Sequence, residues 1–157
     1  MDEITAIRIL RDNLRTNLSC AYEAAGGNAR DGSYWIFAEE PISTPKYPIV
    51  ELKKADNPSI PIDIGNNYME FEQLFVNIFF YTKNGFKITV SGTEYKNESL
   101  VEYYLGLIKT TLKAQFSTLH TAGAKMYKHI NTSPVEYSPE TQLFYGFVRV
   151  RVAYFNR

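Results

Sequence analysis

Apolar residues near the start of the chain fall at Ile4, Ile7, Leu10, Leu14 and Leu18, a spacing that lines them up along one stripe of a helical cylinder. Arg8, Arg11 and Arg15 fall on another side of that cylinder. The pattern predicts a surface helix over 3–24, closed near Ala24 to Gly27, where paired glycines allow a left-handed cap. A polar turn over 28–33 then leads into a short aromatic strand over 34–38. Pro41, Pro45, Pro48, Pro58 and Pro61 rule out a regular helix in the next stretch, leaving a strand over 48–53 and a proline-punctuated loop from Lys54 to Asn67.

The clearest strand signal runs over 69–82. Met69 and Phe71 alternate with Glu70 and Glu72, and Leu74, Val76, Ile78 and Phe80 then take the opposite phase, which suggests a bulge near Gln73. Phe75, Phe79 and Tyr81 occupy its other face, as expected for a central strand. Asn84-Gly85 suits a tight turn into a returning strand over 86–91. A second helix is predicted over 99–119, opened by a capping box of Ser99 with Glu102 and carrying a broad apolar face from Val101 to Leu119. Strands over 126–130 and 143–155 follow, joined through Asn131 to Thr141. In the last strand Val148, Val150 and Val152 point one way and Arg149 and Arg151 the other. The order of elements reads as a single α+β domain over 1–157, a mainly antiparallel β-sheet with two principal α-helices packed on one face.

Composition adjusts this picture in two places. Tyr (12) and Phe (10) make the chain 15% aromatic, a bias that fits strands and protein–protein surfaces. Lys+Arg and Asp+Glu both number 17, so there is no whole-chain field of the kind that grips nucleic acid, and any DNA contact must be local. A balanced charge also tolerates self-association. The single cysteine, Cys20, cannot close an internal disulfide. No apolar run approaches the length of a membrane span, and Asp2 and Glu3 are unlike a secretory leader, so the chain is expected in the cytoplasm at synthesis and away from membranes.

Catalytic chemistry finds little to stand on. Gly26-Gly27 and Gly32 belong to no phosphate-loop pattern and read as turns and caps. His120, His129 and Cys20 are too few and too scattered for a metal site or a Cys–His nucleophile. Glu39-Glu40 and Glu70/Glu72 are paired carboxylates with no neighbour to drive their pKa values apart. The expectation is no enzyme, no catalytic, cofactor-binding or metal-binding residues, and no cofactor. The arginines carry more. Arg8, Arg11 and Arg15 line one helix and Arg149 and Arg151 one strand face; these are either solvated surface or forks for acidic residues of a neighbouring subunit or for DNA phosphates. Zero net charge favours the protein partner. Tyr103, Tyr127, Tyr145 and Tyr154 lie near these elements and could serve the same interface or simply cover the sheet.

Four stretches resemble the tail-terminator proteins of tailed phages: the opening helix ending in small residues and Gly26-Gly27; Pro41 to Leu52 with Tyr47-Pro48-Ile49-Val50; the strand pair around Phe71 to Tyr81; and the helix Leu100 to Leu119 with the alternating strand that follows it. The segment Asn84 to Tyr95 is not placed by the resemblance. The likeness implies a non-enzymatic virion protein that closes into a ring of typically six copies, caps the tail tube and meets the head connector, with DNA passing through the lumen. It implies a location in the host cytoplasm during assembly and then at the head-proximal end of the tail. Arg149 and Arg151 would lie at a subunit junction or toward the channel, and the Lys54 to Asn67 loop would reach a neighbour or the connector. A head-completion or neck protein, or a small-ligand-binding domain, are the alternatives.

Overall fold

The computed structural model describes residues 1–19, 35–38, 46–55, 59–64 and 67–156, without the side chains of 59–64, 67–70 and 156. The first helix, α1 (Glu3–Asn17), begins on Asp2, whose side chain accepts from the Thr5 N–H at 2.7 Å. That hydrogen bond holds the Asp2 carboxyl below the usual carboxylate range. The helix is shorter than the predicted span to 24. Leu18 leaves it in an extended conformation while staying buried, so the apolar stripe is completed by a turn of the chain and not by a further turn of helix. Gly26-Gly27 lie outside the described residues. Ile4 is 52% exposed, and Ala6 takes its place in the buried stripe with Ile7, Leu10 and Leu14.

Two long strands organise the rest. β4 (Asn67–Lys83) and β9 (Leu143–Asn156) pair antiparallel from Glu70↔Asn156 to Lys83↔Leu143 without a register shift. There is accordingly no bulge at Gln73. The two apolar phases seen along β4 are its two faces, with Leu74, Val76, Ile78 and Phe80 buried on one and Phe71, Phe75 and Phe79 half-buried on the other. β4 is flanked by β2 (Ile49–Lys54) along its second half and by β3 (Ser59–Ile64) along its first. β3 occupies what the prolines suggested was loop. Among the described residues it pairs only with β4, and such an edge strand tolerates Pro61, since an N–H on its outward side would bond nothing in the sheet. On the far side, β7 (Ala124–Thr132) and β8 (Glu136–Ser138) flank β9 in the same divided way, so part of the predicted Asn131–Thr141 connection is strand. The bulges of the sheet are in β7, between Ala124 and Met126 and between His129 and Asn131. β1 (Ile36–Ala38) adds one short parallel edge on β2.

The strand after Asn84-Gly85 does not return onto β4, whose two edges are already taken by β2 and β9. Instead β5 (Lys87–Val90) pairs with β6 (Thr93–Lys96) in a separate ribbon, turned at Ser91 (φ 49°) and Gly92 (φ 81°), the two positive-φ positions of a tight hairpin. Asn97, itself at φ 51°, accepts from the Gly85 N–H at 2.9 Å and so ties that turn to the next helix. α2 (Glu98–Ala114) starts one residue ahead of the predicted capping box. Ser99 bonds back to the Lys96 backbone and makes no cap. The predicted single helix breaks at Gln115, and the short α3 (Phe116–Thr121) completes it.

The helices cover one sheet face, in keeping with the α+β expectation. α1 and α2 press Leu10, Leu14, Leu105 and Ile108 against Leu74, Val76, Ile78, Val148, Val150 and Val152 in one cluster. Tyr104 anchors it, stacked on Phe80 at 4.5 Å and meeting Trp35 edge-on at 6.2 Å. Gly146, opposite Phe80, admits the helix: a Cβ there would lie 2.8 Å from Leu105 Cδ1. No helix among the described residues is long and apolar enough to cross a membrane.

Candidate functional site

The face of the sheet turned away from α1 and α2 carries the chemistry. Successive residues of a strand point to opposite faces, so the valines of β9 bury against the helices and Phe147, Arg149 and Arg151 emerge on the other side. The register then decides their neighbours. Arg149 stands opposite Asn77 and Arg151 opposite Phe75 on β4, with Lys128 of β7 beside Arg151 and Lys53 of β2 beyond Asn77. The result is a row of four cations across the middle of the open face.

Each guanidinium is fixed by a neutral group. Arg149 Nε donates to Asn77 Oδ1 at 2.8 Å and its guanidinium lies 5.8 Å from the Phe147 ring. Arg151 donates to Gln73 Oε1 at 3.2 Å and to Met126 Sδ at 3.0 Å. Its Nε is buried with no acceptor among the described residues. Neither arginine is within ion-pair reach of a carboxylate among the described residues. Amides orient the forks without cancelling their charge, which leaves both available to an anionic group from outside.

Aromatic rings bound this row at both ends. Phe71 and Phe155 pack at 5.4 Å on one side. On the other, Phe79 touches Phe147 at 5.2 Å and Tyr81 at 5.7 Å, and Tyr81 meets Tyr145 at 5.7 Å. The carboxylates of the face sit at this tyrosine end. Glu136 accepts from the Tyr145 hydroxyl at 2.8 Å, and this bond raises the pKa of that phenol. Burial, and then the Glu51 carboxylate, push the Tyr81 phenol up strongly. Glu51 also pairs with Lys53 at 3.4 Å. The described acids of the face are thus spent on hydroxyls and on Lys53, and among the described residues the arginines have no carboxylate partner.

The other predicted residues lie elsewhere. Arg8, Arg11 and Arg15 belong to the helix layer, with the sheet between them and Arg149 and Arg151. Arg15 clamps the Ile36 carbonyl with Nε at 3.0 Å and a terminal nitrogen at 2.7 Å, fastening α1 to β1. Arg11 pairs with Asp12 at 2.9 Å, and Arg8 is exposed. Tyr103 stacks on Tyr95 of the ribbon at 4.4 Å. Tyr154 and Tyr127 face the helices, and burial pushes both phenols up to about 12. His129 bonds Thr132 Oγ1 at 2.9 Å, its pKa lowered by burial and then by Lys109; no cluster of potential metal ligands occurs among the described residues. Cys20, Gly26-Gly27, Gly32 and Glu39-Glu40 lie outside the described residues. Sequence reasoning missed Lys53, Lys128, Asn77 and Gln73. The two amides were detectable as polar interruptions in the aromatic phase of β4; the lysines required the register.

No protein-family model matches the chain, and no curated protein is significantly similar to it.

Proposed function

We propose that this protein is a non-enzymatic assembly subunit that closes into a ring, caps the tail tube of a tailed phage and joins the tail to the head connector. The observation that carries the reading is the open sheet face, where two oriented arginines with no carboxylate partner among the described residues stand between aromatic clusters. Aromatic residues and arginine are the side chains enriched where proteins bury surface against one another. A broad β surface of this kind suits docking to another protein, and the balanced net charge suits a partner that is a further copy of the chain. The sequence resemblance to tail terminators supplies the setting: the tube protein and the connector as neighbours, typically six copies to the ring, and DNA in the lumen. Arginine forks also suit DNA phosphates, so local, sequence-independent contact with the passing DNA belongs to the same reading.

Sedimentation velocity over a concentration series, together with electron microscopy of assembling particles, tests it. The expected results are a ring-sized species and density for the protein at the head-proximal end of the tail. Density at the portal instead would assign the chain to the neck. A chain that remains monomeric at every concentration and is absent from particles would overturn the proposal.

A further inference from the structure

Two patches of opposite charge lie on opposite layers of the molecule, and neither finds an ion-pair partner among the described residues. One is Arg149 and Arg151 on the open sheet face. The other is Glu98 and Glu102, one turn apart on α2, both exposed and in no ion pair or hydrogen bond among the described residues. We infer that Glu98 and Glu102 of one copy dock on Arg149 and Arg151 of the next. This rests on the ring reading above and names the contact that would build the ring.

Three observations carry it. The first is elimination among the carboxylates whose side chains are described. Glu3, Asp12, Glu51 and Glu94 pair with Lys54, Arg11, Lys53 and Lys87, and Glu72 and Glu136 accept from tyrosine hydroxyls. Asp2 caps α1, and Glu140 stands alone, which leaves Glu98 and Glu102 as the one adjacent uncommitted pair. The second is spacing. Two residues along a strand advance about 6.7 Å, and four along a helix about 6 Å, so the two carboxylates can meet the two guanidinium groups in register. The third is Gly106, one turn beyond Glu102. A Cβ built there meets nothing within 4 Å, so packing inside the chain gives no reason for a helix-weakening residue at that position. A bare backbone there allows a neighbouring surface to approach the helix closely.

The geometry also fixes the symmetry. Because the acidic patch is on the helix layer and the basic patch on the opposite sheet face, the contact is head-to-tail, and repeating it generates a ring or a filament and not a two-fold dimer.

The test is charge reversal on each side, read by sedimentation velocity with far-UV circular dichroism as the control for folding. Glu98→Arg/Glu102→Arg and Arg149→Glu/Arg151→Glu each place like charges in register and are expected to weaken assembly by roughly 100-fold or more. Mixed together, the two variants offer complementary surfaces at every junction, and assembly is expected to return. If wild type forms rings but the mixture stays monomeric, or if either variant alone assembles normally, the pairing is overturned and the ring reading stands. Should the sheet variant lose its fold, the helix variant decides, since it alters only exposed side chains: undiminished assembly overturns the pairing. Wild type that is monomeric at every concentration overturns the pairing, and only its absence from particles as well overturns the ring reading.

Discussion

The two faces of the β4–β9 pair are built from the same strands, yet they obey different rules. On the helix side Val148, Val150 and Val152 meet Ile78, Val76 and Leu74, all fully buried and free of charge. On the other side Phe147, Arg149 and Arg151 meet Phe79, Asn77 and Phe75, all half-buried, with the polar groups hydrogen-bonded laterally. The first face is held by packing density, so its cost of change scales with volume. The second is held by ring contacts and forked hydrogen bonds that leave the charge outward. One sheet thus carries its stability on one side and its capacity for recognition on the other, and substitutions should separate the two.

The largest effect is expected at the aromatic anchor of the covered face. Phe80→Ala removes the ring stacked on Tyr104 and opens a cavity between β4 and α2, at a cost of about 3–5 kcal/mol in unfolding free energy measured by chemical denaturation. Gly146→Ala tests the same face from the opposite direction. Its methyl would collide with Leu105, and overpacking of that kind costs about 1–3 kcal/mol. Leu105→Val combined with Gly146→Ala should return part of that loss, showing that the cost arises at the helix–sheet contact. On the open face, Phe147→Ala should cost only about 1 kcal/mol, because its ring is only half-buried and surrenders less buried area than Phe80. Equal losses for Phe80 and Phe147 would mean that the open face is a second core and would undo the comparison.

Much of this architecture was readable from residue spacing, and the errors have physical causes. The stripes of α1 and α2 and the alternation of β4 and β9 stood out because each is a long element with one periodic face. β3 was hidden by Pro61, since a proline speaks against a strand only where its N–H would be needed. The sequence Thr93-Glu94-Tyr95-Lys96 has a single half-buried residue, so β6 leaves almost no hydrophobic signature, and spacing alone offers β5 no partner but β4. Ile4 matched the helical period but projects beyond the edge of the core. At the candidate site, the alternation placed Arg149 and Arg151 on one face. Their amide partners and flanking lysines depend on cross-strand register, which spacing along one strand does not contain.

A smaller effect, opposite in sign, is expected at Thr82. It lies on the covered side with its hydroxyl fully buried and without a hydrogen-bond partner among the described residues. A buried unsatisfied hydroxyl costs about 1–3 kcal/mol, so the near-isosteric Thr82→Val should raise the melting temperature, with a gain of about 1 kcal/mol. Tyr127→Phe removes a similarly unpartnered hydroxyl and should act in the same direction. A loss in either variant would show that the hydroxyl has a partner, such as an ordered water.

The smallest change in stability is expected where the functional consequence is largest. Arg149→Gln with Arg151→Gln removes two charges from the middle of the open face while keeping hydrogen-bonding side chains beside Asn77 and Gln73. The subunit loses charge-assisted hydrogen bonds at a partly exposed site, and it also loses a buried Nε–H that had no acceptor. These contributions oppose one another, so denaturation should move by no more than about 0.5 kcal/mol. If the pair served the fold, the loss would instead approach the values seen on the covered face. A near-neutral result together with lost assembly would locate the role of these arginines between copies of the chain, where their uncompensated charge finds its counterpart.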